Sequence, residues 1–287
     1  MQQTDASERT TIDLPAGRVH YRVSGPERGR PVVFVHGFLV DDTLWSDVPE
    51  RLGAAGFRAY APTWPLASHT EAMKEGADLS PRGVARVVAS FLEALDLDDV
   101  VIVGNDTGGG IAQLLLDEDP NRVGGLVLTN CDAFEDFPPA PFDTLFRVAR
   151  HPWLALLLLQ TMRSTTLRHS SLAFGPMVRR RIEPGESRPW VRPYLTDAAV
   201  RRDVASFTRA WRPGLLTGSA SWLGTFHKPV LLCWAPEDPT FEYALAKRLL
   251  ATFPDATLVE FRDASTFVPM DEPGRLAEEI AAWAGRA

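Results

Sequence analysis

Sulfur is scarce in this sequence, and so are long apolar runs. Only two of 287 residues are cysteine, Cys131 and Cys233. Two thiols in or at the end of expected strands exclude a disulfide scaffold and predict a cytoplasmic, reducing setting with both buried. No Cys/His spacing fits a metal site, and neither metal nor cofactor is expected. The apolar stretch Trp153 to Leu159 is too short to span a bilayer. The start, Met1 to Thr10, is polar and lacks an apolar signal region. No membrane partner is therefore expected. Positive charge is not in excess: the formal net charge is −7, which leaves no basic footprint for nucleic acid. Repeats and low-complexity tracts are missing too. What remains is a chain with 45% apolar residues, enough for a packed core, of a length one large α/β domain can occupy.

Short β-rich runs alternate with amphipathic helical runs, the pattern of an α/β sheet. Val19 to Val23, Pro31 to His36 and Gly56 to Ala61 read as early strands. Pro81 to Leu97 reads as a helix, with Ser80 as N-cap and Pro81 at its first position. Asp98 to Gly104 and Gly125 to Asn130 are further strands, separated by a helix over Ile111 to Asp117. The alternation then stops. From Ala133 to Trp222 the sequence predicts helices and no strand, with Ala198 to Trp211 one helix behind Asp197. Strands return at Pro229 to Trp234 and Ala256 to Phe261, before a final helix over Arg275 to Ala284. The expected organisation is a core of residues 1–134 and 222–287, with a helical cap of residues 135–221.

The run Val100 to Gly109 is an apolar strand entering a glycine-flanked sharp turn with Asp106 at its tip. A strand–turn–helix of this kind projects its tip residue above the sheet, beside a helix N-terminus whose N–H groups favour an anion. The plainer alternative is an aspartate that merely caps the following helix.

Four motifs in order then carry a resemblance: His36-Gly37-Phe38, Gly104-Asn105-Asp106-Thr107-Gly108-Gly109, Trp234-Ala235-Pro236-Glu237-Asp238, and Phe267 to Pro273. With them the chain resembles the α/β-hydrolase fold superfamily, in the branch of epoxide hydrolases and haloalkane dehalogenases that use an aspartate nucleophile. The resemblance covers nearly the whole chain after about residue 12. It implies a mostly parallel eight-stranded sheet flanked by helices, with the cap inserted after the sixth strand. It implies Asp106 as nucleophile, Asp238 as triad acid, and the amides of Phe38 and Thr107 as an oxyanion hole. His36 is expected to be structural.

The departures from that pattern bear on the reaction. Thr266 stands where the family's water-activating histidine belongs. Thr107 and Phe38 stand where dehalogenases hold the halide with Trp and Asn or a similar donor. Of the two cap tyrosines of epoxide hydrolases, only Tyr194 is found, with Arg192, Arg180 and Trp190 as other donors. Three readings follow: a histidine has moved, the reaction is not hydrolytic, or the protein binds without turnover. His69, in a loop after a strand's C-terminal end, is the candidate relocated base. Its bland alternative is a solvated loop histidine.

The leucines 154 and 156–159 with Trp153 exceed what one amphipathic face needs. Some of them are expected to line a pocket over Asp106, formed by Trp153, Leu157, Trp190, Tyr194, Thr266 and Phe267, or to bury against a second subunit in a homodimer; packing of the cap on the core is the plainer role for the others. The expected ligand is an apolar small molecule.

Overall fold

The computed structural model describes residues 8–286. The first seven residues of the polar Met1 to Thr10 stretch thus lie outside the described residues. β1 (Glu8–Leu14) and β2 (Gly17–Ser24) form an antiparallel hairpin. β3 (Pro31–Val35), α1 (Val48–Ala54) and β4 (Arg58–Thr63) follow, then α2 (Pro81–Ala94), β5 (Val100–Asp106), α3 (Thr107–Glu118) and β6 (Val123–Cys131). Six α-helices come next, with short 3-10 turns at Gln160–Arg163 and Gly175–Met177 between them: α4 (Phe142–Ala149), α5 (Pro152–Leu159), α6 (Thr165–Arg168), α7 (Pro184–Thr196), α8 (Ala198–Ala210) and α9 (Ser219–Leu223). β7 (Val230–Trp234), α10 (Tyr243–Thr252), β8 (Ala256–Glu260), α11 (Val268–Asp271) and α12 (Pro273–Ala284) complete the order. No named strand lies between β6 and β7 among the described residues.

The eight strands form one sheet in the order β1-β2-β4-β3-β5-β6-β7-β8, antiparallel at β1–β2 and β2–β4 and parallel elsewhere. Every residue of β5, β6 and β7 is buried, as expected of parallel strands covered on both faces. Side-chain alternation divides the core into two layers. Val33, Val35 and Ile102 enter one layer with α2 and α3, while Val32, Phe34, Val101 and Val103 enter the other with α1 and α12.

Local signals explain several boundaries. Ser80 Oγ accepts the Gly83 N–H and Pro81 takes the first position of α2, a combination that satisfies one orphan donor and presets φ. Asp197 caps α8 through the Ala199 N–H. β1 is the strand that the hydropathy pattern passed over. It is an edge strand with few apolar residues, held by its ladder to β2.

After β3 the chain goes to β4 on one side, then returns to β5 on the other. The reversal opens a crevice at the C-terminal ends of β3 and β5. His36-Gly37-Phe38 leaves one of these strands and Asp106 ends the other.

Candidate active site

Asp106 sits where β5 turns into α3, with φ 54° and ψ −133°. That backbone is costly for a residue with a Cβ, and the fold must over-determine it. Its neighbours allow the turn because they are small. A Cβ on Gly108 would lie 1.9 Å from the Val35 carbonyl oxygen, and one on Gly104 would lie 2.7 Å from Gly109 Cα. The Asp106 side chain does not cap α3. Instead its Oδ2 accepts the Phe38 N–H at 3.2 Å. Gly37 makes this approach possible, since a Cβ there would fall 2.0 Å from Asp106 Oδ2.

Three buried carboxylates share this end of the sheet. Burial pushes Asp106 up to about 7; the Thr107 and Phe38 amides oppose that rise, and the Asp238 charge adds to it. Asp238 is raised to about 6 by burial, against hydrogen bonds from the Thr240 amide, the Thr266 hydroxyl and Asn130. Asp132, one residue past β6, is fully buried, and neither carboxylate oxygen has a hydrogen-bond partner of normal geometry among the described residues. Burial, then the Asp106 charge, push its pKa up from the ordinary carboxylate value, with the Thr107 side chain opposing. Like charges this close do not ionise together. Burial and the Asp106 charge both favour the protonated form of Asp132.

Thr266 occupies the position that completes the Asp238 pair. Its Oγ1 donates to Asp238 Oδ1 at 2.8 Å, while Asn130 Nδ2 donates to Oδ2 at 2.7 Å. The Thr240 N–H adds a third bond, at 2.9 Å. Asn105, beside Asp106, ties the Thr266 loop to the sheet through the Thr266 carbonyl at 2.7 Å. A carboxylate satisfied this way is held in place, and the hydroxyl that holds it cannot take a proton from water near neutral pH.

No histidine hydrogen-bonds Asp106, Asp132 or Asp238 among the described residues. His36 is buried and consumed structurally: Nδ1 lies 2.8 Å from the Gly37 carbonyl oxygen, and Nε2 accepts the Trp64 N–H at 2.8 Å. Burial depresses it to about 4, so it is neutral. His69 makes no direct hydrogen bond to Asp106, and one of its ring nitrogens meets a carboxylate. It is buried, not solvated, and its Nε2 meets Asp203 Oδ2 at 3.3 Å. Asp203, on α8, also accepts the Met73 N–H at 2.7 Å and pairs with Arg202. A buried carboxylate anchoring the loop thus holds one nitrogen of the imidazole, and the other, Nδ1, is buried without a partner among the described residues.

The expected pocket residues separate into two groups. Trp190, Tyr194, Thr266 and Phe267 are buried. Trp190 packs edge-on against Phe267 and Phe174, and its indole N–H donates to Thr43. The Tyr194 hydroxyl is buried without a partner. Trp153 and Leu157 are instead 67% and 63% exposed, so they line no enclosed pocket. α5 is apolar all round and only Ala155 and Leu159 are buried. The Phe38 side chain packs in an aromatic cluster with Phe146 and Phe207. Asp132 is the residue that sequence reasoning passed over. An acidic residue just past an apolar strand, on the ligand-facing edge, was its signal.

Comparison with known proteins agrees with this architecture. A model of the alpha/beta hydrolase family matches residues 32–279. A relative named haloalkane dehalogenase 2, from Mycobacterium tuberculosis, is 33% identical over 95% of this chain and 93% of its own. The crystal structure of a haloalkane dehalogenase from Bradyrhizobium elkani superposes with TM-score 0.78 at 18% identity, covering 98% of both chains. The epoxide hydrolase CorEH superposes with TM-score 0.77 at 17% identity, covering 98% of this chain and 99% of that one. At such identities the two structures speak for the fold alone.

Proposed function

The chain belongs to the alpha/beta hydrolase family, and from that premise we propose that Asp106 attacks an electrophilic carbon of an apolar small molecule. The substrate class is a carbon–halogen bond or an epoxide. The observation that carries this reading is the Phe38 N–H on Asp106 Oδ2. With Oδ2 held there, Oδ1 is the attacking oxygen. Its new C–O bond forms as the carbon–halogen or epoxide C–O bond breaks, and the electron pair leaves with the halide or alkoxide. In the ester that results, the same amides face the carbonyl oxygen, where charge develops during hydrolysis. The aromatic cluster of Phe38, Phe146 and Phe207, built on the residue whose amide meets Asp106, supports an apolar substrate. The relative named a dehalogenase favours the carbon–halogen class, and the unpartnered Tyr194 hydroxyl favours the epoxide.

Hydrolysis of the ester is the slow step in this reading. A positioned general base is worth ~10²–10⁴-fold, and Thr266 supplies none. Incubation with a panel of haloalkanes and epoxides, followed by intact-protein mass spectrometry, tests the proposal. The expected result is an adduct that forms with wild type, decays slowly and is absent in Asp106→Asn. No adduct and no turnover with any compound would overturn it.

The buried, unpartnered Asp132 carboxyl beside Asp106 favours a second reading, acid–base catalysis without water. The two readings predict opposite pH profiles. Nucleophilic attack needs the ionised carboxylate, so kcat/KM rises with pH through about 7. Proton donation by Asp106 makes it fall over the same range. Product formed in heavy-oxygen water carries label only in the hydrolytic case.

A further inference from the structure

A cavity among the described residues lies on the outer face of α7, and Asp106 is not part of its lining. Its volume is about 320 Å³, within the range of small-molecule sites. Arg163, Arg168, Arg188 and Arg192 line it, together with Val191 and Leu195. Positions 188, 191, 192 and 195 share one face of a helix by their spacing. The opposite face carries Trp190 and Tyr194 into the core. Arg168 comes from α6, and Arg163 from the turn that precedes it.

None of these four guanidinium groups forms an ion pair with a carboxylate among the described residues. The carboxylates at the start of α7 are already engaged, Glu183 by Arg181 at 3.9 Å and Glu186 by Arg180 at 2.7 Å. Arg163, Arg188 and Arg192 donate no side-chain hydrogen bond to any described residue. Arg168 is 2% exposed and meets only neutral acceptors, Ser187 Oγ at 2.8 Å and the Met162 carbonyl at 2.7 Å foremost. Its pKa is lowered by burial and by the neighbouring Arg188 charge. A protein of net charge −7 thus gathers four uncompensated cations around one concavity. A buried, unpaired charge is costly, and a multivalent anion in the cavity would offset that cost. Guanidinium groups match phosphate oxygens in geometry as well as charge. Val191 and Leu195, both buried, supply the apolar part of the lining.

We propose that this cavity is a binding site for an organic phosphate, the phosphate held by Arg163, Arg168, Arg188 and Arg192 and an apolar substituent laid on Val191 and Leu195. The phosphate comes either from a soluble monoester or from a lipid headgroup.

Thermal unfolding with inorganic phosphate and with phenyl phosphate, against chloride at matched ionic strength, tests the site. Saturable stabilisation by both, stronger for phenyl phosphate and beyond that of chloride, is expected for a soluble source. In Arg188→Gln/Arg192→Gln the apparent affinity should drop tenfold or more, and in Lys228→Gln/Arg262→Gln it should not change. Neither altered arginine of the first variant has a protein partner, so its melting in chloride should match wild type. A lipid source instead gives co-sedimentation with phosphatidylcholine vesicles that contain phosphatidylglycerol, not with phosphatidylcholine alone, and the same loss in the variant. Stabilisation no greater than chloride with no vesicle binding, or equal responses from variant and wild type, would overturn the proposal. None of these measurements reads turnover, so the outcome is independent of the reaction at Asp106.

Discussion

Replacing Asp106 by Asn should change how stability depends on pH, by an amount the elbow geometry sets. The Asp106 carboxyl moves from 3.8 to about 7 on folding, because burial outweighs the two amides that stabilise its charge. A raised carboxyl pKa means that the folded state binds the proton more tightly. Its contribution to stability is therefore full below the unfolded value of 3.8 and is lost as pH rises through about 7. At about 1.4 kcal/mol per tenfold change in proton affinity, the whole span is roughly 4 kcal/mol. Between pH ~5 and ~8 the loss is roughly 2 to 3 kcal/mol. Asn keeps the side-chain shape and an oxygen for the Phe38 N–H, and it shares the strained backbone, so those terms cancel in the comparison. Urea unfolding of both proteins across this range is the assay. The gap in unfolding free energy should shift toward the Asn variant by roughly 2 to 3 kcal/mol on going to the higher pH. A gap that stays constant would show that Asp106 titrates as it does in the unfolded chain, and the electrostatic picture of the site would be wrong.

Three further outcomes are expected. Thr266→His places an imidazole against Asp238, where the hydroxyl now sits at 2.8 Å. The covalent adduct should then clear ~10²–10⁴-fold faster, for a stability cost of ~1–3 kcal/mol in this packed loop, as read by time-resolved mass spectrometry. Gly37→Ala drives a methyl to within 2.0 Å of Asp106 Oδ2. Displacing the carboxylate from the Phe38 amide should lower the rate of adduct formation by ~10²–10³-fold. Asp203→Ala strands Met73, His69 and Arg202 without their shared acceptor. It should destabilise the protein by about 3–5 kcal/mol in chemical denaturation, while the folded fraction still forms adduct at the wild-type rate; a large rate loss would implicate His69 in the chemistry.

The sequence by itself determined the alternation of strand and helix, and with it the sheet. Apolar runs such as Val100–Val103 and Val230–Trp234 can only be covered on both faces, and Ser80-Pro81 and Asp197 announce helix starts by local chemistry. It also determined the elbow. Gly104, Gly108 and Gly109 around Asp106 are a covalent, short-range statement about how sharply the chain turns there. β1 escaped because its ladder to β2, not its own hydropathy, holds it in the sheet. Partnership across the molecule was decided only by the tertiary structure. His69 reads as a loop histidine on the ligand side of the sheet, yet Asp203, 134 residues later, takes it. Thr266 reads as an absence, and the fold makes it the donor that closes Asp238. Asp132 goes unmarked in the sequence, and only the fold buries it beside Asp106, where the protonated form is favoured. Trp153 and Leu157 read as pocket lining because composition cannot say which way a wholly apolar helix faces. Charge and hydrogen bonding act over a few ångströms regardless of sequence separation, so the chemistry at the end of β5 was settled by which residues folding brought within that reach.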